Sequence, residues 1–126
     1  MLSLTRSLIL GSQAAALAAV GVLLSAVAAQ AQTIEWTDVP NVIVPAEIGT
    51  NTIVRQGNQI MFDAIADGLY VRYNGNCQSQ VLYRLLIGSL DENSQPIDVI
   101  DYPNERWFEA NDYQSAILAT ACEASQ

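Results

Sequence analysis

The sequence predicts an α+β fold: an antiparallel β-sheet meander of about four to six strands, followed by a C-terminal α-helix and held by one disulfide. Apolar and polar residues alternate in several short runs separated by turn-forming residues, which is typical of half-buried strands. Helix-forming residues are concentrated from Asp112 to about Ala124. Two cysteines, Cys77 and Cys122, can join the strands to the helix.

The first half of the predicted sheet is made of short segments. Prolines, Gly49 and β-branched residues within 32–54 indicate extended pieces and turns. Residues 52–55 are predicted as a short strand and residues 56–58 as the turn that follows it. In the next run, alternate residues share one face of a strand: Ile60, Phe62, Ala64 and Ala66.

The second half of the sheet contains the strongest turn signal, Asn74-Gly75, which predicts a type I′ hairpin because both residues tolerate positive φ. Its partner strand, from Gln80 to about Leu90, is apolar on both faces and is therefore expected to be central. Polar residues at 91–96 predict a second hairpin turn, and alternation resumes at 97–102. The aromatic segment 106–108 is expected to lie in the core.

The C-terminal helix is expected to begin at Asn111 or Asp112, either of which can serve as its N-cap. Cys122 lies near its end, so a disulfide to Cys77 would pin the helix to the sheet. A narrow apolar stripe should pack on the sheet, formed by Tyr113, Ile117 and Ala121.

Residues 1–31 read as a cleavable secretory signal. Arg6 precedes a long apolar run at 14–29, and the small-residue pattern at 29–31 fits a signal-peptidase site before Gln32. The predicted product is one exported domain, residues 32–126, secreted or periplasmic. Two cysteines in an exported chain are best paired, and the disulfide should contribute about 4 kcal/mol to so small a domain.

The competing interpretation of the N-terminus is an uncleaved membrane anchor, which needs roughly 20 apolar residues. Ser12, Gln13 and Ser25 interrupt or thin the run, which favours cleavage and no integral membrane association afterwards. The cysteines are Cys77 and Cys122, so the predicted cleavage point lacks the cysteine that a bacterial lipoprotein carries there.

The predicted mature segment is strongly acidic. Without Arg6 it carries four arginines against thirteen Asp and Glu, which leaves a formal charge of −9. This sign argues against nucleic acid or an anionic membrane as a partner, because both bind positive surfaces. The chain also contains no histidine, which removes Ser-His-Asp and Cys-His catalysis, the usual zinc sites and His-ligated haem. We therefore expect neither an enzyme nor a cofactor.

Arg72 and Arg84 form the candidate binding site. Across the predicted hairpin the two side chains can lie near each other and bind an anionic group. The competing interpretation is that each arginine pairs with one of the abundant carboxylates of the chain itself.

Other candidates have plainer explanations. Asp91, Glu92 and Asn93 offer oxygen ligands but lack the spacing of a calcium loop, so a solvated turn is preferred and no metal site is predicted. Asp98 and Asp101 are expected to be surface charges. Eight aromatic side chains can form a recognition face, although packing in the core and on the sheet faces is preferred. They are Trp36, Phe62, Tyr70, Tyr73, Tyr83, Tyr102, Trp107 and Tyr113.

The order of several landmarks can be compared with a known family. These are Trp36, the run Thr-Ile-Val-Arg-Gln-Gly-Asn-Gln-Ile at 52–60, Gly-Asn-Cys at 75–77, Trp107, and Ala-Cys at 121–122. In this order the chain resembles the surface-adhesin protein E family. The resemblance implies an antiparallel sheet flanked by helix, a bond between the central and terminal cysteines, and an extracytoplasmic role in which some members bind host matrix proteins. The absence of a lipobox cysteine departs from the best-known member, a surface lipoprotein.

Two functions follow as hypotheses. The leading one is a non-enzymatic extracytoplasmic binding or interaction module, adhesin-like in character, whose partner is an unidentified protein or envelope component. The alternative is a structural or stress-related cell-envelope protein with a redox-sensitive disulfide, which requires a reduction potential well above about −300 mV.

Overall fold

The computed structural model describes residues 32–102 and 106–126. Within them, Thr33–Gln126 forms one compact unit, and a single 3-10 turn, Thr50–Thr52, accompanies the strands and the helix. The elements in chain order are β1 (Trp36–Asp38), β2 (Ala46–Gly49), β3 (Val54–Gln56), β4 (Gln59–Ala66), β5 (Leu69–Asn76), β6 (Val81–Leu90), β7 (Pro96–Asp101), β8 (Phe108–Glu109) and α1 (Asp112–Ala124). The predicted signal segment, 1–31, lies outside the described residues.

All strand pairs that the structure describes are antiparallel. The main path runs β1-β2-β4-β5-β6-β7, while β3 pairs with β4 and β8 pairs with β6. This confirms the predicted α+β fold, with six strands on the path and two further short ones. The expectation that β6 is central is also confirmed, because it has β5 on one side and β7 with β8 on the other.

A two-residue turn, Asp67-Gly68, joins β4 to β5. Asp67 and Gly68 both have positive φ, 53° and 79°. They join Ala66 to Leu69, which face each other as the last pair of the ladder. Asp and Gly tolerate this backbone region better than most residues, so the two-residue turn forms without strain at a bulky side chain.

The prediction of a turn at Asn74-Gly75 was wrong, because both residues lie inside β5. Gly75 instead allows the helix to approach the sheet. A Cβ atom placed there would lie 2.7 Å from Cδ1 of Leu118 on α1. The glycine is therefore needed for close packing of strand and helix, and this requirement overrides a turn signal that is strong only locally.

The actual turn between β5 and β6 lies three residues later. The side-chain Oδ1 of Asn76 accepts hydrogen bonds from the backbone N–H groups of Gln78 and Ser79, at 2.9 and 3.0 Å. Gln80 then adopts φ of 60° before β6 begins. An Asn side chain that binds the backbone two and three residues ahead is a common way to start a turn.

The core lies between the sheet and α1. The core face predicted for β4 is confirmed, since Ile60, Phe62, Ala64 and Ala66 all belong to the core. Burial itself does not alternate, because Asp63 and Ile65 on the other face are buried too. The rings of Phe62 and Tyr73 stack across the β4–β5 pair with centroids 5.7 Å apart. On the helix the fully buried residues are Ile117, Leu118 and Ala121.

Both ends of α1 are capped. Asn111 is the N-cap: its Oδ1 accepts from the N–H of Gln114 at 2.8 Å, and the Gln114 Oε1 accepts from the N–H of Asn111 at 3.0 Å. At the other end, Nη1 of Arg55 on β3 donates to the carbonyl oxygen of Cys122 and to Oγ of Ser125, at 2.9 and 3.0 Å. A cation at this end also matches the helix dipole.

The predicted disulfide is present between Cys77 and Cys122, with the two Cα atoms 5.9 Å apart. It joins the β5–β6 turn to the last turn of α1. In the part of the chain that the structure describes, no helix has the length and hydropathy to span a membrane.

The expectation that the segment 106–108 is core was wrong for Trp107, which is 44% exposed. Its ring lies edge-on against Tyr83, with centroids 4.6 Å apart. Phe108 is half-buried and pairs with Leu82. Because side chains alternate along a strand, burial of Phe108 beside Leu82 directs Trp107 to the opposite sheet face.

Candidate functional site

The structure does not bring Arg72 and Arg84 together. In the β5–β6 register Arg72 lies opposite Leu86, and Tyr73 lies opposite Arg84. Arg84 therefore shares a sheet face with Tyr73, whereas Tyr73 and Arg72 point to opposite faces because successive residues alternate along β5. A register shift between Arg72 and Tyr73 interrupts the alternation along β6, so the two arginines lie on opposite faces of the sheet. The two arginines therefore do not form a shared anion site, and each lies in a different environment.

Arg72 pairs with Asp63, the directly opposed residue on β4. The Arg72 Nε donates to Oδ1 of Asp63 at 2.6 Å, and Nη2 donates to Oδ2 at 3.2 Å. The hydroxyl of Tyr70 donates to the same Oδ2 at 2.9 Å. Asp63 is only 1% exposed, so these charge-assisted bonds compensate the loss of its hydration.

Contacts within this cluster raise the pKa values of Tyr70 and Arg72. Burial raises the pKa of Tyr70 well above its usual value, and the charge of Asp63 and the hydrogen bond to it raise it further. The hydrogen bond to Asp63 raises the pKa of Arg72. Tyr70 therefore stays a neutral donor at physiological pH, and Arg72 stays a cation committed to a buried carboxylate.

A cleft of about 460 Å³ opens on the other face of the sheet, next to the start of α1. Its strand residues come from β4, β5 and β6, and its outer wall comes from the β1–β2 connection and α1. Most of this lining is apolar, and the aliphatic side chains are those of Val44, Ala66, Leu69, Val71 and Ile87. Its volume falls within the range of small-molecule sites, about 300–1,000 Å³.

Arg84 brings a positive charge to this cleft. Its guanidinium carbon lies 4.7 Å from the ring centroid of Tyr102 and 5.9 Å from that of Phe108. Both distances fall within the range of cation–π attraction, so the rings help to fix the position of the charge. A guanidinium has five N–H donors and can hold a ligand while keeping another partner.

Tyr113 holds three segments of the cleft wall in place. Its hydroxyl accepts a hydrogen bond from the N–H of Asp67 at 2.9 Å and donates to the carbonyl oxygen of Pro45 at 3.2 Å. These bonds link α1 to the β4–β5 turn and to the β1–β2 connection. The cleft is therefore preformed by the fold, which lowers the entropic cost of binding.

A smaller cavity of about 270 Å³ adjoins the cleft and shares Val44 and Tyr113 with it. Its remaining lining includes Ile43, which is fully exposed at 101%. The mouth of the cleft is thus extended by an apolar loop between Pro40 and Pro45.

The acidic turn Asp91-Glu92-Asn93 folds as a solvated turn. The Asp91 Oδ1 accepts from the N–H groups of Asn93 and Gln95, at 2.8 and 2.9 Å. Among the described residues, no group of three or more His, Cys, Asp or Glu side chains is placed to hold a metal ion. The carboxylate of Asp91 therefore serves the local backbone.

No family model matches the chain, and no curated protein or solved structure matches it. The resemblance to the surface-adhesin protein E family stays a prediction.

Proposed function

We propose that this chain is an exported, non-enzymatic binding module whose ligand site is the cleft beside Arg84. The observation that carries the proposal is the combination, in one preformed cleft, of an apolar lining with a guanidinium held against two aromatic rings. This chemistry suits an envelope component that presents an apolar group next to an anionic one.

The chemistry of the cleft favours binding over catalysis. Its lining includes one carboxylate, Asp67, and two tyrosines, Tyr73 and Tyr113. The Tyr113 hydroxyl already makes both hydrogen bonds that support the wall. No histidine exists in the chain to act as a base near neutral pH. A ligand is therefore held here without groups arranged to transform it.

The binding proposal can be tested with anilinonaphthalene sulfonate, a fluorescent probe that joins apolar rings to one anionic group. We expect saturable binding, and about tenfold weaker binding in Arg84→Gln, because a hydrogen bond to a charged group is lost. Arg106→Gln is the matched control, since Arg106 is exposed and does not line the cleft.

A second pair of variants tests the mouth of the cleft. Leu69 lines it and is 42% exposed, whereas Val54 is 59% exposed and lies outside it. Leu69→Glu should weaken probe binding through repulsion, and Val54→Glu should not. Equal affinities within each matched pair would contradict the assignment of the ligand to this cleft.

Export is tested separately by the intact mass of the protein recovered from outside the cytoplasm, with and without reduction and thiol alkylation. We expect a chain that begins at Gln32 and takes up two alkyl groups only after reduction. A mass that includes residues 1–31, or thiols that react without reduction, would contradict a cleaved and disulfide-bonded product.

A further inference from the structure

The outer edge of the sheet is formed by β7 and β8, here called the β7–β8 edge and defined by residues 96–101 and 107–109. Both strands pair with β6 along one side. Neither pairs with another strand on its other side within the described residues. Strand edges of this kind present unpaired backbone groups that can bind another extended chain.

Exposed apolar side chains are concentrated on this edge. Eight large apolar residues are exposed in the described part of the chain, and half of them lie here. Their exposed fractions are 41% for Ile97, 40% for Val99, 63% for Ile100 and 44% for Trp107. Such a concentration on one side of a small domain is typical of an interaction surface.

The edge also carries negative charge. Asp98, Asp101 and Glu109 are all exposed there, and Arg106 is the neighbouring basic residue. The carboxylates lie between or beside the apolar side chains. The edge therefore presents both apolar and acidic groups to a partner. A second copy of this chain is disfavoured as the occupant, because two such edges would bring their carboxylates together.

The backbone of β7 is open over part of its length. The N–H of Tyr102 donates to the carbonyl oxygen of Leu85 at 2.9 Å, so by alternation Asp101 directs its N–H and C=O away from β6. At the start of the strand, Pro96 and a bulge limit pairing: Asp98 has φ of 53° and the register shifts near Gly88. The stretch of β7 with open backbone groups is therefore 99–101.

We propose that the β7–β8 edge binds an extended segment of a partner protein in which basic and apolar residues alternate. The segment adds a strand beside 99–101, with its apolar side chains against Val99, Ile100 or Trp107 and its cations near Asp101 and Glu109. Backbone hydrogen bonds supply affinity in this mode of recognition, and the alternating side chains supply selectivity. The edge shares no lining residue with the cleft, although the ring of Phe108 contacts the Arg84 guanidinium, and the proposal does not depend on ligand binding in the cleft.

The test uses the oxidised, isotopically labelled protein and two short blocked peptides, one of alternating Lys and Val and one of alternating Glu and Val. Amide chemical shifts are followed by NMR during titration. We expect the Lys–Val peptide to shift amides of β7 and β8, with about tenfold weaker binding of the Glu–Val peptide because attraction is replaced by repulsion.

Two variants make the result specific. Asp101→Lys with Glu109→Lys should reverse the preference between the peptides, and neither residue has a positive φ that the substitution would strain. Asp101→Pro removes an N–H that faces away from β6, so it should abolish binding with little change in thermal midpoint. Shifts confined to the cleft, equal affinities for both peptides, or a dimer that buries this edge in sedimentation analysis would each overturn the proposal.

Discussion

Replacing both cysteines, Cys77→Ser with Cys122→Ser, is expected to lower the free energy of unfolding by about 4 kcal/mol. The bond closes a loop with a sequence separation of 45 residues, and cross-linking such a loop removes much of the entropy of the unfolded chain. It also holds the last turn of α1 against the β5–β6 turn. The total free energy of unfolding of a protein is about 5–15 kcal/mol, so this loss is a large share of it.

Urea denaturation of the oxidised wild type and the double serine variant measures this effect. The reduced wild type is the control, and it should unfold near the midpoint of the serine variant, because both lack the cross-link. A difference below about 1 kcal/mol between oxidised and serine proteins would show that the unfolded chain is already restricted by other means.

Asp63→Ala is expected to cost about 3 kcal/mol of unfolding free energy. The substitution leaves the buried hydroxyl of Tyr70 and the guanidinium of Arg72 without their common acceptor. Breaking a fully buried ion pair costs about 3–5 kcal/mol, and the lower end applies because the Arg72 side chain is 37% exposed and can regain water. Asp63→Asn keeps an acceptor oxygen and should lose less.

The same urea titration measures this series, and Asp101→Ala serves as its control because Asp101 is an exposed carboxylate on a strand. Asp101→Ala should change the free energy of unfolding by no more than about 0.5 kcal/mol. If Asp63→Ala and Asp101→Ala unfold at the same urea concentration, the buried cluster does not stabilise the sheet.

The elements that depend on local chemistry could be predicted from the sequence. The alternation of β4 identifies its core face, because Ile60, Phe62 and Ala64 repeat with the period of a strand. The bounds of α1 follow from its Asn111 cap and helix-forming composition. The disulfide could be predicted because two cysteines in a chain with an expected secretory signal are expected to pair.

The misplaced turn and the arginine pair share one cause. A turn at 74–75 is favoured by local conformation, yet Gly75 is used for contact with Leu118, and the strand continues to Asn76. The actual register then sets Arg84 opposite Tyr73. A long-range packing requirement thus decided the register, and the register decided which face each arginine occupies.

The cleft itself depends on contacts that no local pattern contains. Tyr113 was expected only as part of the apolar helix stripe, whereas its hydroxyl binds backbone groups of Asp67 and Pro45, which are 46 and 68 residues distant in the chain. The placement of Arg84 against Tyr102 and Phe108 likewise requires that β6 and its edge strands are already assembled. Such arrangements follow from the whole topology.

The most direct test of the proposed function is the fluorescence titration of anilinonaphthalene sulfonate on wild type, Arg84→Gln and Arg106→Gln proteins measured side by side. We predict saturable binding to wild type, unchanged affinity in Arg106→Gln and about tenfold weaker binding in Arg84→Gln. If the probe does not bind wild type, or binds all three proteins equally, the cleft beside Arg84 is not the ligand site.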